Sequence, residues 1–107
     1  MVEADKDPQA LLAVQREIID RADRDIVALA NERATASLAI ASIKHRHGLP
    51  IFVEGREDQV IANAISINQG PFSNMQVTKI VVGIMRESRQ LQGELMRLEE
   101  AIEAERQ

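Results

Sequence analysis

Between Pro8 and Gly48 there is no glycine and no proline, and apolar residues recur there at intervals of three and four. Leu11, Leu12, Val14, Ile18, Ile19, Ala22, Ile26, Leu29, Ala36, Ile40 and Ile43 mark one face of a single α-helix of about 40 residues. Asp7 stands where an N-cap belongs, and Pro8 suits the first helical position. At 1.5 Å per residue such a helix is roughly 60 Å long, whereas a compact chain of this size has a radius of gyration of only ~13 Å. The rest of the chain is too short to sheathe it. A second chain is expected to complete the cover.

The remaining pattern is also helical. Gly48-Leu49-Pro50 ends the first helix, and an extended loop runs to Gly55, Pro50 biasing Leu49 away from helix. A second, shorter helix is expected over residues 56–68, with Val60, Ile61, Ala64 and Ile65 inward, until Gln69-Gly70-Pro71 breaks it. Ser73-Asn74-Met75-Gln76 reads as a capping box that opens a third helix. Its core positions are Val77, Ile80, Val81, Ile84, Ser88, Leu91, Leu95, Leu98 and Ile102. The segment 94–107 carries charge on most faces and is expected to project as a solvated helix end. With no strand-like alternation and no internal repeat, the fold class is all-α, with three helices in one domain spanning 1–107 and a core of about 9–93.

Composition narrows function by exclusion. The chain has 107 residues, enough for one domain, and 45% of them are hydrophobic. Phe52 and Phe72 are the only aromatics, so aliphatic side chains and alanine carry the core. There is no cysteine, which excludes disulfides and thiolate metal sites. His45 and His47 lie two apart on different helix faces and read as solvated, so no metal is expected. A formal net charge of -4 without a basic stripe argues against nucleic acid. No apolar run approaches the ~18 to 20 residues of a membrane span. The opening MVEADKDPQ is acidic and polar, unlike a secretion signal, and the expected location is the cytoplasm.

Against this acidic background a few long polar side chains interrupt the apolar stripes. In the heptad series Leu12, Ile19, Ile26, Arg33, Ile40 a guanidinium occupies a core slot. A buried permanent cation is costly unless it meets an anion or hydrogen-bonding partners. On an ideal helix Arg33 and Lys44 share a face ~16 Å apart, room for a small dianion between them. Arg16 lies about 25 Å along the axis and ~100° around from Arg33. It could reach the same pocket only from a partner in an antiparallel dimer. Ser88 and Gln92 share one face of the third helix, and Arg56 and Glu57 open the second. Taken singly, most of these residues have a plainer account. Arg16 can pair with Asp20, Lys44 can favour the helix C-terminal dipole, and Ser88 and Gln92 can be ordinary polar interruptions. Arg33 resists such an account.

The segment from Arg16 to Leu29, followed by Asn31-Glu32-Arg33, resembles the opening helix of the all-helical chorismate mutases. Lys44 falls eleven residues after Arg33, as that family's pocket lysine does. Pro50-Ile51 with Arg56-Glu57-Asp58-Gln59-Val60, Asn68-Gln69-Gly70-Pro71-Phe72 and Ser88-Arg89-Gln90-Leu91-Gln92 extend the likeness over roughly residues 9 to 93. The resemblance implies an intertwined homodimeric helical bundle with two pockets, each completed by the partner's first helix. It implies that Arg16 across the interface and Arg33 hold two carboxylates, and that Lys44 and Gln92 flank an ether oxygen. It further implies that Arg56 shapes the anion site, Glu57 meets a C4 hydroxyl and Ser88 lines the pocket. One position departs from the pattern. Where the family commonly has Asp, three residues before Arg56, this chain has Val53.

The implied activity is the conversion of chorismate to prephenate, an isomerisation on the route to aromatic amino acids. An intramolecular rearrangement needs no nucleophile, metal or redox cofactor, only a pocket that holds the dianion in a reactive conformation. Two rivals stay open. An isochorismate pyruvate-lyase or a mutase of 4-amino-4-deoxychorismate would use the same architecture, although the loop of residues 48–55 looks more like that of a chorismate mutase. A non-catalytic helical dimerisation module would use the cations to pair Asp20, Asp23 and Glu32.

Overall fold

Asp7 begins the first helix as its neighbours require. Its carboxylate accepts from the Gln9 N–H at 3.0 Å, and its carbonyl accepts from Ala10 and Leu11, which satisfies donors that a helix start leaves unpaired. In the computed structural model, which describes residues 7–107, helix α1 runs Pro8–Arg46, α2 Arg56–Ser66 and α3 Asn74–Arg106. The acidic opening segment, residues 1–6, lies outside the described residues. No strand forms among the described residues, so the all-α, three-helix expectation holds.

Each helix stops where local chemistry says it should. Gly48 takes a φ of +63°, and the Leu49 N–H reaches the Lys44 carbonyl at 2.8 Å while the Gly48 N–H reaches His45. That is a Schellman closure, and it needs a residue without a Cβ at Gly48. The Asn68 amide then ties the α2–α3 turn together, donating to the Phe72 carbonyl and to Asn74 Oδ1, both at 2.9 Å. The capping box forms in full: Ser73 Oγ accepts from the Gln76 N–H at 3.1 Å, and Gln76 Oε1 accepts from the Ser73 N–H at 2.9 Å.

By its internal contacts the chain divides into two units, residues up to Arg33 and Ala34–Gln107, with the boundary inside α1. The first is helical from Pro8, and its apolar stripe is open: Leu12, Ile19 and Ile26 are all exposed, Ile26 at 61%. The second holds the last turns of α1 with α2 and α3. Ala41, Met85 and Met96 are its buried apolar side chains, and Ser88 is buried among them at 9% exposure.

Two expectations need correction. The segment 94–107 is a solvated end only in its last part, where residues 100–107 are exposed, while Leu95, Met96 and Glu99 are wholly or partly covered. Met96 is buried at 8% exposure, and Glu99 Oε1 accepts from Ser42 Oγ at 3.2 Å. His45 is accordingly not solvated. Its ring Nε2 lies 3.2 Å from Glu103 Oε1 and 3.9 Å from Glu99 Oε2, with the side chain 23% exposed. Charge on most faces hid the apolar Met96 and the docking carboxylates in one pattern. The second correction concerns α1, which does contain an 18-residue stretch of mean hydropathy 1.2, long and apolar enough by length and composition to cross a membrane. Glu32 and Arg33 break the run and conceal it. An amphipathic helix whose apolar face is bound for a protein partner has the same composition.

Candidate active site

Lys44, Val53, Arg56, Glu57, Ser88 and Gln92 all belong to the second unit, in which two side-chain tethers join α3 to α1 and to α2. Gln92, one turn after the buried Ser88, donates from Nε2 to the Ser37 carbonyl on α1 at 2.9 Å, in a part-buried setting. Arg89, the residue after Ser88, forms an ion pair through Nη1 with Glu57 Oε2 on α2. Arg89 and Gln92, three residues apart on one face of α3, therefore bind the α2 start and the α1 backbone within a single turn.

Lys44 sits in the last turn of α1, where a cation is favoured by the helix dipole. Its Nζ donates to the Ile51 carbonyl at 3.0 Å. That bond fixes the ammonium and pins the loop that follows. An ammonium has three donors and an amide nitrogen two. After these tethers Lys44 keeps two N–H groups and Gln92 one, each on a nitrogen whose position is set by protein. Donors held in this way can meet an anionic oxygen with less reorganisation than free side chains need.

Around α2 the geometry follows from the turn that starts it. Gly55 takes a φ of +85° at the N-cap, the Arg56 N–H reaches the Val53 carbonyl at 3.2 Å, and the Gln59 N–H reaches the Gly55 carbonyl at 3.0 Å. Arg56 Nη1 donates to Gln59 Oε1 at 2.8 Å and so lies along its own helix. Val53 is exposed, and its isopropyl side chain neither donates nor accepts a hydrogen bond.

Arg16 and Arg33 belong to the first unit. Arg33 is half-buried and has an interacting partner, as a guanidinium in an apolar stripe must. Arg16 is exposed, and among the described residues no ion pair joins it to Asp20. A shallow apolar groove along Pro8, Leu11, Leu12, Val14 and Gln15 contains none of the candidate residues. Among the described residues no group of His, Asp and Glu has the arrangement of a metal site.

Three participants escape a reading of the sequence. Ser37 contributes only its carbonyl, and Ile51 likewise, so their side-chain types carry no signal. Arg89 looks like one more solvated arginine, because its partner Glu57 is 32 residues away and no local spacing links them.

Comparison with known proteins gives a consistent picture. The family model described as chorismate mutase type II matches residues 15–93. A bifunctional chorismate mutase/prephenate dehydratase of Aquifex aeolicus (strain VF5) is 35% identical over 72 residues, covering 67% of this chain and 20% of the relative. This chain thus spans about a fifth of that protein's length. The solved form II structure of chorismate mutase from Thermus thermophilus superposes with a TM-score of 0.73 at 28% identity, covering 77% of this chain and 93% of that one. The form I structure from the same organism gives a TM-score of 0.69 at 28% identity, covering 72% and 96%.

Proposed function

The chain belongs to the chorismate mutase type II family, and from that premise we propose that it is an isomerase converting chorismate to prephenate. In this Claisen rearrangement the enolpyruvyl ether C–O bond breaks while a C–C bond forms to the ring. Nothing leaves and nothing is added. A protein contributes by holding the flexible dianion with its side arm over the ring, and by stabilising negative charge that grows on the ether oxygen.

The observation that carries the reading is the pair of tethered donors in the second unit. Lys44 is held by the Ile51 carbonyl and Gln92 by the Ser37 carbonyl, and both keep donors for an ether oxygen. Arg33 and the partner subunit's Arg16 clamp the two carboxylates, for which the planar guanidinium fork is suited. Arg56 adds positive charge near them. Glu57 accepts from the C4 hydroxyl, and Ser88 lines the pocket wall.

We assign the chain a homodimer in which each pocket takes Arg16 across the interface. The open apolar stripe of α1, with Leu12, Ile19 and Ile26 exposed, supports it, since such a surface calls for a covering partner. A cytoplasmic location goes with the same reading. A chorismate consumption assay, with the product identified, tests the proposal. Prephenate is expected. Pyruvate would mark a lyase instead, and no turnover together with no stabilisation by a dicarboxylate ligand would leave a structural module.

A further inference from the structure

We infer that Arg89 is a positioning residue for Glu57, and that through it Arg89 sets how tightly the enzyme recognises the C4 hydroxyl of its substrate. The inference rests on the mutase reading above, in which Glu57 is the acceptor for that hydroxyl. Three observations point to it. Arg89 Nη1 pairs with Glu57 Oε2, which leaves Oε1 without a partner among the described residues. Arg56, the cation adjacent to Glu57 in sequence, is turned to Gln59 and does not compete for the carboxylate. Val53 supplies no second carboxylate, so Glu57 has no side chain at that loop position to share the task.

A glutamate in the first turn of a helix has three free torsions and can point in many directions. Arg89 removes that freedom from the far side. It rises from α3 between the buried Ser88 and the tethered Gln92, so its own starting point is fixed. With Oε2 occupied, the carboxylate offers one oxygen in one orientation. Preorganising an acceptor in this way strengthens binding without forming any new contact to the ligand.

The magnitude of the pair decides how to look for it. Its side chains are 51% and 43% exposed, and ion pairs at such exposure add little to global stability. An effect on thermal stability is therefore the wrong readout. The right one is KM, together with its dependence on Glu57. Arg89→Met keeps the apolar stem and removes the charge. It should raise KM for chorismate by roughly 2- to 10-fold, the range of one modest hydrogen bond, with kcat changed less. In a Glu57→Gln background the same substitution should have no further effect. Arg89→Lys, which keeps a charge but loses the fork, should fall between. A dianionic inhibitor without the hydroxyl should bind wild type and Arg89→Met alike.

Each other outcome overturns something specific. If the Arg89 and Glu57 effects multiply, Arg89 acts on the substrate directly and not through Glu57. If Arg89→Met leaves KM unchanged, or weakens the hydroxyl-free inhibitor as much as chorismate, the positioning role is gone while the mutase activity stands. A wild-type chain that leaves chorismate untouched overturns the activity, and this role with it.

Discussion

Gln92 and Lys44 enter the proposed role with the same preparation, each donating to a backbone carbonyl of the chain. Removing one preorganised donor to a developing oxyanion typically costs about 2.7 to 4 kcal/mol, or 10² to 10³ in kcat. Lys44→Ala and Gln92→Ala should each lose at least that much while far-ultraviolet circular dichroism stays native. A Gln92→Ala enzyme with near-full kcat would remove this residue from the mechanism. The amide of Gln92 does not titrate, so activity should not need an acidic medium to protonate position 92. A kcat profile that climbs steeply towards low pH would contradict that. In the proposed pocket Val53 would bear on substrate choice. Its side chain accepts nothing, and its carbonyl already receives the Arg56 N–H. Glu57→Ala should accordingly damage chorismate turnover more than any change at Val53. A cationic 4-amino substituent would lose more than a hydroxyl from the missing carboxylate. Side-by-side kcat/KM values for chorismate, isochorismate and 4-amino-4-deoxychorismate check this, and a preference above tenfold for either alternative would refute it.

The three helices differ in how openly the sequence displays them, and the reason is locality. The Asp7 cap, the Gly48 closure and the Ser73–Gln76 box each involve residues within a few positions of one another, so spacing alone reveals them. Among the candidate residues Arg33 stands out by itself, as a cation in an apolar heptad series, whereas Arg16, Lys44, Val53, Arg56, Glu57, Ser88 and Gln92 are singled out as a set by the resemblance to the all-helical chorismate mutases. What stayed hidden depends on pairs distant in sequence: Arg89 with Glu57, Gln92 with Ser37, and α3 beyond Gly93 with the end of α1. In the last case charge was misleading. Glu99 and Glu103 read as solvated, yet they meet Ser42 and His45 beside the buried Met96. The two kinds of contact should weigh differently. Met96→Ala removes buried apolar volume and should cost about 2 kcal/mol or more. His45→Ala breaks pairs in which the partner Glu103 is largely exposed, and should cost under ~1 kcal/mol. Urea unfolding of both variants at one fixed protein concentration tests the ranking. Equal, negligible effects would return the segment 94–107 to the solvated end that its composition suggests.

At the scale of the whole molecule the question is which chain supplies which residue. The apolar stripe of α1 is exposed at Leu12, Ile19, Ile26 and Ile40, and folding is therefore expected to be inseparable from association. A folded, helical monomer in sedimentation equilibrium at low micromolar concentration would contradict that. The sharper test concerns Arg16. If it acts across a two-fold interface, each pocket draws Lys44 from one chain and Arg16 from the other. Arg16→Ala and Lys44→Ala homodimers then have two defective pockets each. In a heterodimer the defects segregate. The chain with an intact Lys44 receives an intact Arg16 from its partner, while the opposite pocket carries both lesions. Random refolding of an equal mixture makes half of the dimers mixed, and one of their two pockets whole, so about a quarter of wild-type activity should return. If Arg16 instead served the pocket of its own chain, every pocket in every dimer would carry one lesion, and nothing would return. Activity measured on refolded mixtures, with heterodimer formation verified by differential tagging, separates the two arrangements. Recovery near a quarter places Arg16 across the interface. None at all, with heterodimers present, places it within its own chain and overturns the assignment.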